Sequence, residues 1–313
     1  ENDAENFLRQ SYKLNGLIAG AAVPFTNKFR LELNPFLQQT SFNNLQYESV
    51  NTNAADYAKD SRILYTGFQL RGVFDNTEER GFNILQGTRA LVEFHYNQSF
   101  SKNQSFNVFR FDLRHYQIIH NELTLATRIY MGKSFGPNPQ KFLLGGVPNW
   151  VLARTKEHSG GDPLTVANEI DNSNLLFTEF VNQMRGYDLN EKYGTAALLV
   201  NMELKFPVFQ YLSRFPVKST FLRNFMLVAF TDIGSAWDGK PPITRKNSII
   251  FIDYDETPFK AKVANYASPW LASYGFGLRT ALLGYYLKLD YARPLEDFEI
   301  KSAKFTLSLG LDF

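Results

Sequence analysis

The chain contains no cysteine. A disulfide framework, a thiolate zinc site and a cysteine-ligated iron–sulfur cluster are therefore excluded. Net charge is scarce as well: 33 Lys and Arg stand against 31 Asp and Glu, a formal balance of +2. A dedicated nucleic-acid binder carries a clear basic excess, so no nucleic-acid partner is expected. No apolar run reaches the ~18 residues that a membrane helix needs. The opening residues, Glu1 to Gln10, are polar and acidic and carry no basic-plus-apolar leader, as expected of a mature protein or a piece of one. The four histidines, His95, His115, His120 and His158, show no metal-ligand spacing. There is no G-x-S-x-G elbow and no phosphate-binding glycine loop. The carboxylates are too scattered to nominate an acid–base pair. No catalytic set, metal or cofactor is expected, and the chain is not read as an enzyme.

Aromatic residues are abundant: 29 Phe, 16 Tyr and 3 Trp make up 15% of 313 residues. With 44% hydrophobic and 20% charged residues, the composition is that of an ordered chain. The order takes the form of alternation. Over the last ten residues Phe305, Leu307, Leu309, Leu311 and Phe313 share one face, while Thr306, Ser308, Gly310 and Asp312 share the other. A period of two is that of a strand. Val200, Met202, Leu204 and Phe206 alternate in the same way with Asn201, Glu203 and Lys205, and Phe109, Phe111 and Leu113 with Arg110, Asp112 and Arg114.

A soluble β-sandwich also alternates, but it places small polar groups outward. Here the polar face carries large charges of both signs, which suits a wet, ion-paired lumen. The other face is rich in Phe, Tyr and Leu, which suits lipid. The expected fold is all-β, an antiparallel transmembrane β-barrel, favoured over a soluble β protein. Eleven strands of spanning length are expected near 13–25, 29–39, 63–74, 86–98, 105–117, 121–132, 194–207, 223–236, 272–283, 285–294 and 304–313. Two long intervals, 133–193 and 237–271, are read as loops that lie outside the barrel or fold into it. The first is expected to have structure of its own. His95 and His115 are expected to line the lumen as hydrogen-bonded residues. Eleven is an odd count, whereas bacterial single-chain barrels are usually even. Either one strand is missed or earlier strands lie elsewhere, and the barrel domain over 1–313 is read as partial.

One ordered series of motifs stands out. The first long loop holds Met184, Arg185, Gly186, Tyr187 and Asp188. The next strand holds Asn201, Glu203, Lys205 and Pro207. Then come Phe230, Asp232, Gly234 and Trp237, then Tyr274 to Arg279, then Leu289 to Ala292, and a final Phe313. The series resembles the C-terminal barrel half of the BamA and two-partner-secretion superfamily, also called the bacterial surface antigen family. The similarity covers about 63–313 and is densest over 181–313; Asp75, Asn76, Gly87 to Arg89 and Leu144 to Gly146 extend it upstream. It implies a location in the bacterial outer membrane and a sixteen-stranded barrel, of which these would be the later strands. It implies that loop 133–193 is the inward-folded sixth extracellular loop with an Arg-Gly-Tyr tip. About forty residues, 147–183, separate Gly146 from that tip, so the loop is enlarged relative to the family.

The resemblance further implies that Arg185 lies in the lumen against Glu203 and Asp232. A buried guanidinium needs such partners, and period two places both carboxylates on polar faces of neighbouring strands. Gly186 would let the tip turn against the wall, Tyr187 would direct its hydroxyl to a polar partner, and Gly234 would leave room beside Asp232. Phe305, Leu307, Leu309, Leu311 and Phe313 resemble the C-terminal signal by which outer-membrane barrels are recognised for insertion. The function implied is assembly or translocation of proteins in the outer membrane. The partners implied are outer-membrane lipid, client or partner outer-membrane proteins, and lipoproteins. The alternatives are a barrel that anchors or serves a fused or partner domain, and a porin-like transporter.

Overall fold

The computed structural model describes residues 10–44, 61–156, 175–213, 217–242, 249–256, 259–266 and 268–310, apart from residues 82, 102, 283 and 298, together with the single residues 158 and 164. The alternating segments form strands β1 (Gln10–Ile18), β2 (Ala21–Pro24), β3 (Phe29–Asn44), β4 (Ser61–Asp75), β5 (Glu78–Gly81), β6 (Ile84–Ser99), β7 (Phe106–His120) and β8 (Leu123–Phe135). After the long loop come β12 (Ala196–Phe206), β13 (Met226–Trp237), β16 (Leu271–Leu282), β17 (Tyr285–Glu296), β18 (Glu299–Ile300) and β19 (Lys304–Leu309). These fourteen make one sheet in which neighbours in space follow the order of the chain.

Three of the fourteen are short continuations. β2 pairs with the same strand as β1, β5 extends a turn beside β6, and β18 extends one beside β17. Eleven crossings remain, at the eleven expected positions. Every pairing in this sheet is antiparallel. Among the described residues the path runs from β1 to β17, which pairs in turn with β18 and β19.

The connections are of two kinds. At one end the turns are tight: Asn121 and Glu122, both with positive φ, join β7 to β8, and Gly284 with φ 83° precedes β17. The other end carries the long loops. Bacterial barrels keep short turns on the periplasmic side and long loops outside, which orients the chain. The short-turn end has one exception, a pair of short helices, Val208–Leu212 and Thr220–Arg223, between β12 and β13. Pro207 stops the β12 ladder before them, because it has no N–H to give. The second helix is why β13 starts at Met226 and not at 223 as expected.

The 133–193 interval contains a small sheet of its own. β9 (Phe142–Leu144) lies between β10 (Glu179–Val181), which is parallel to it, and β11 (Lys192–Gly194), which is antiparallel. The interval 237–271, expected as plain loop, contains a hairpin of β14 (Ile249–Glu256) and β15 (Phe259–Tyr266). Its first strand opens on an unbroken apolar run, Ile249 to Ile252, so the alternation that marks the other strands is absent there.

The outward face is an apolar belt. Leu33, Leu37, Leu70, Val92, Ile129, Met131, Met202, Leu204, Leu227, Ile233, Phe276, Leu289, Phe305 and Leu307 are all exposed. Water would penalise such a surface; lipid solvates it. The inward face corrects a simple polar-lumen expectation. Towards the long-loop end it is apolar: Tyr65, Phe106, Val108, Tyr130, Ala197 and Leu199 pack with Phe142, Leu144, Val181, Met184 and Tyr187 of the loop. The hydrophobic core of the molecule is therefore inside the barrel, between wall and loop.

The histidine expectation holds for one residue only in part. His95 faces inward, but it packs edge-on against Phe36 with ring centroids 5.0 Å apart, and its Nε2 has no hydrogen-bond partner. His115 is on the other face. It is exposed, it meets Thr88 Oγ1 at 2.8 Å, and period two aligns it with Phe109, Phe111 and Leu113 and not with Arg114.

Candidate functional site

Arg185 is the centre of a dry cluster inside the barrel. It lies in the loop between β8 and β12 and is 3% exposed; its partners Glu203 on β12 and Asp232 on β13 are 2% and 0% exposed. The guanidinium makes a fork on Asp232, Nε to Oδ2 at 2.7 Å and Nη2 to Oδ1 at 2.6 Å. Its remaining arm, Nη1, donates to Glu203 Oε1 at 2.6 Å. The backbone N–H of Arg185 also donates to Asp232 Oδ2, at 3.2 Å. Planar bidentate pairing of this kind is the strong form of a charge-assisted hydrogen bond. Burial works against the cationic form, but the charges of Asp232 and Glu203 overcome it, so the Arg185 pKa is raised above the ordinary arginine value. The cation is permanent.

The strand register explains why both carboxylates reach one arginine. Asn201 pairs with Asp232 and Glu203 with Phe230 across β12 and β13. All four residues point inward, two residues apart on each strand. Asn201 Nδ2 donates to Asp232 Oδ1 at 2.7 Å and to the Gln183 carbonyl at 2.6 Å, which fixes both the carboxylate and the approach of the loop. Phe230 offers its ring face to the guanidinium, with the Arg185 Cζ 3.7 Å from the ring centroid. A desolvated stack of this sort contributes about 2 kcal/mol or more. Lys205 approaches the other oxygen of Glu203 at 3.5 Å.

The tip then crosses the remaining strands. Gly186, with φ 84°, lies against β17: a Cβ there would meet the Ala292 Cβ at 3.2 Å and the Pro294 Cδ at 3.4 Å. The Tyr187 hydroxyl lies between two carbonyls that share its one proton, Ala272 on β16 at 2.8 Å and Leu295 on β17 at 2.7 Å. Burial pushes the Tyr187 pKa up, so the phenol stays a neutral donor. Asp188 forms an ion pair with Lys304 on β19 at 3.0 Å. Four consecutive residues, Arg185 to Asp188, thus touch five consecutive spanning strands from β12 to β19.

The structure brings Arg185, Gly186, Tyr187, Glu203 and Asp232 into one site. Gly234 has a different neighbour from the one expected. A Cβ at Gly234 would meet Leu144 Cδ2 at 3.1 Å, so the bare position makes room for the loop sheet and not for Asp232. Phe305 and Leu307 lie on the outer face, 68% and 44% exposed, and Leu309 is half-buried. Leu311 and Phe313 fall outside the described residues. Two members of the site were not nominated from sequence, Phe230 and Asn201. Period two put them on the same faces as Asp232 and Glu203, so the signal was present. The Asp188–Lys304 pair had no such signal, because nothing local relates the two residues.

The family described as Omp85 superfamily domain matches residues 1–313. No curated protein gives a match. Among solved structures, BamA from Haemophilus ducreyi lacking POTRA domains 1-3 is similar with a TM-score of 0.58 and 16% identity, over 96% of this chain and 55% of that one. CdiB from Acinetobacter baumannii is similar with a TM-score of 0.51 and 13% identity, over 96% of this chain and 42% of that one. This chain spans about half the length of those two, at 55% and 42%. The likeness is one of fold, an antiparallel transmembrane β-barrel.

Proposed function

Because this chain belongs to the Omp85 superfamily, whose members are outer-membrane β-barrel proteins of Gram-negative bacteria, we propose that it takes part in assembling or translocating proteins in that membrane, and that Arg185 locks the sixth loop to the barrel wall for this purpose. The observation that carries the reading is the dry three-way contact of Arg185 with Asp232 and Glu203. No covalent step is involved. The work consists of holding the late strands in a defined arrangement while another polypeptide is handled beside them. Its partners are lipid on the apolar belt, client outer-membrane proteins and lipoproteins. A porin-like conduit is disfavoured by the apolar core between loop and wall, which fills the long-loop end of the lumen.

The test is depletion of the protein from its host membrane, with complementation. Loss of other outer-membrane proteins or of an exported protein on depletion, restored by the natural sequence and not by Asp232→Arg, is the expected result. The Asp232→Arg protein should still reach the membrane as a heat-modifiable barrel. An outer-membrane and secreted protein profile unchanged by depletion would retire the reading.

A further inference from the structure

Two residues suffice to join β7 to β8 and β16 to β17, but residues 207–225 join β12 to β13 and contain the two short helices. This connection is an ordered one. The Gln210 Nε2 of the first helix donates to the Arg223 carbonyl of the second at 2.9 Å. The Tyr211 hydroxyl meets His120 Nδ1, at the end of β7, at 3.0 Å. Ser219 Oγ caps the second helix by accepting from the Leu222 N–H at 3.4 Å.

The helices lie on the lipid side of the wall. Phe206 stands opposite Leu227 in the register of β12 and β13, and Leu227 belongs to the outward belt. The Phe206 ring packs on Tyr211 of the first helix with centroids 4.8 Å apart. Phe225, two residues before Leu227, packs on Phe209 at 5.5 Å and on Phe221 at 6.3 Å. The outward aromatic surface of two strands therefore continues onto both helices. Beyond those contacts Phe209, Leu212 and Phe221 are themselves 37%, 69% and 43% exposed. The second helix lies beside β16, whose end exposes Leu282 on the same rim.

The charge of the connection has one sign. From Phe206 to Met226 the sequence contains no Asp or Glu, and Lys218 and Arg223 are both exposed. Helices of five and four residues do not hold in water by themselves. They need an apolar medium over Phe209, Leu212 and Phe221, and the end of the belt supplies it. At that height acyl chains give way to headgroups. Exposed aromatic and aliphatic side chains with basic charges alone are the make-up of a segment that lies in the plane of an interface. The short-turn end is the periplasmic end, so the leaflet concerned is the phospholipid one, and the groups that meet Lys218 and Arg223 are phosphates.

We propose that the connection between β12 and β13 is a binding site for anionic glycerophospholipid of the periplasmic leaflet, with Phe209, Leu212 and Phe221 among the acyl chains and Lys218 and Arg223 on the headgroup phosphates. This inference uses the outer-membrane location of the chain and does not rest on the assembly function proposed above. The site seats the periplasmic ends of the same two strands whose Glu203 and Asp232 hold Arg185, so lipid fixes from outside the pair that the loop tip fixes from inside.

The absence of natural cysteine makes the first test clean. Leu212→Cys and Lys218→Cys, each carrying a nitroxide, are placed in the full chain in nanodiscs of equal parts phosphatidylcholine and phosphatidylglycerol. The label at 212 should be relaxed more by molecular oxygen than by a water-soluble nickel chelate, and the label at 218 the reverse. A label at 212 that the chelate reaches as readily as the one at 218 puts the helices in the periplasm and overturns the proposal. The second test is amide exchange over 217–225, compared with nanodiscs of phosphatidylcholine alone. Exchange should be several-fold slower where phosphatidylglycerol is present. Lys218→Glu combined with Arg223→Glu should abolish that difference and leave exchange in β12 and β13 unchanged. Exchange that ignores phosphatidylglycerol, or a difference that survives the double reversal, overturns the site. Inorganic phosphate that gives the same protection in phosphatidylcholine nanodiscs would make it a site for a soluble anion and overturn the lipid assignment. Protection found only in native outer membrane, and in neither nanodisc, would assign the surface to a partner protein instead.

Discussion

Two sectors of this barrel use the same chemistry to opposite ends. Along β3, β4, β6 and β7 the inner wall carries a ladder of arginines and carboxylates. Arg30 pairs with Glu32 at 2.6 Å, Arg71 reaches Glu32 at 3.0 Å and Glu93 at 3.3 Å, and Arg110 bridges Glu93 to Glu179 of the loop. Several of these groups are wet: the side chains of Arg30 and Arg71 are 49% and 34% exposed. Arg71 and Arg110 each have two carboxylates in reach, and Arg30 is half in water, so losing one contact leaves the rest solvated or re-paired. In the sector from β12 to β19 the pairs are dry: Arg185 faces two carboxylates with almost no water in reach, and Arg279 meets Asp290 at 2.8 Å with both side chains buried. Around Arg185 the desolvation of three charges is balanced by their mutual geometry, by the Asn201 amide, by the Phe230 ring and by Lys205, and not by water. Arginine–carboxylate pairing is therefore a forgiving seam in the first sector and an all-or-nothing fastening in the second.

The sharpest break in that contrast is Arg185→Ala. It leaves Asp232 buried without a cation and Glu203 with Lys205 alone, and breaking a buried pair in this way costs about 3–5 kcal/mol. The expected outcome is loss of loop docking with the barrel retained, read as fast amide exchange and protease cleavage within 136–195 while the strands stay protected. Next is Phe230→Leu, which keeps the salt bridges and removes the ring face. A loosening of about 2 kcal/mol is expected in the same exchange experiment, and an unchanged tip would show that the stack contributes nothing. Tyr187→Phe removes one hydroxyl shared between Ala272 and Leu295. It should cost about 1 kcal/mol and speed exchange at the tip without releasing Arg185. Arg71→Ala in the ladder should change barrel stability by no more than about 1 kcal/mol, with loop protection unaffected. A larger effect there would erase the distinction between the sectors.

The smallest effect concerns pH. Asp238 lies beyond the end of β13, accepts both oxygens' worth of contact from Lys141 Nζ at 2.8 and 3.0 Å, and accepts from the Thr195 N–H at 2.9 Å. Burial pushes its pKa up, but the bond to Lys141 and that ammonium's charge more than offset this, so it lies below the ordinary 3.8. A carboxylate depressed on folding contributes stability that is present above the unfolded value and is lost as pH falls through the folded one. The join between loop and β13 should therefore loosen only when pH drops below about 3.8. Exchange at Thr195 measured down that range checks it; loosening near neutral pH would contradict the assignment.

How much of this was legible beforehand follows from the range of each interaction. Alternation is a local property, and it placed all eleven crossings, from the broken first strand to Lys304–Leu309. It failed at Ile249–Ile252, where an unbroken apolar run hides the period of the hairpin. It also mispredicted the inner face near the long-loop end. Phe106 and Val108 are apolar and inward because Leu144 and Phe177 of a distant segment cover them, and no neighbouring residue announces that. His115 was misplaced for a simpler reason, since its own parity put it with Leu113. In the site, the cation and its two carboxylates were nominated by the motif series together with strand parity. The contacts that spread the tip over β16 and β17 run through backbone carbonyls of Ala272 and Leu295, and a carbonyl leaves no trace in a sequence.

The direction of these contacts along the chain has a further consequence. Every strand that the tip holds is made after the tip itself: Glu203 comes 18 residues later, Asp232 47, Ala272 85 and Leu295 108. A chain emerging from its amino end carries Arg185 for a long time before its acceptors exist. Such separations are slow to close, because the entropy of the intervening chain is lost before any contact forms. The docked arginine is consequently a late event in the biogenesis of the protein, and its burial reports that the carboxy-terminal strands have arrived.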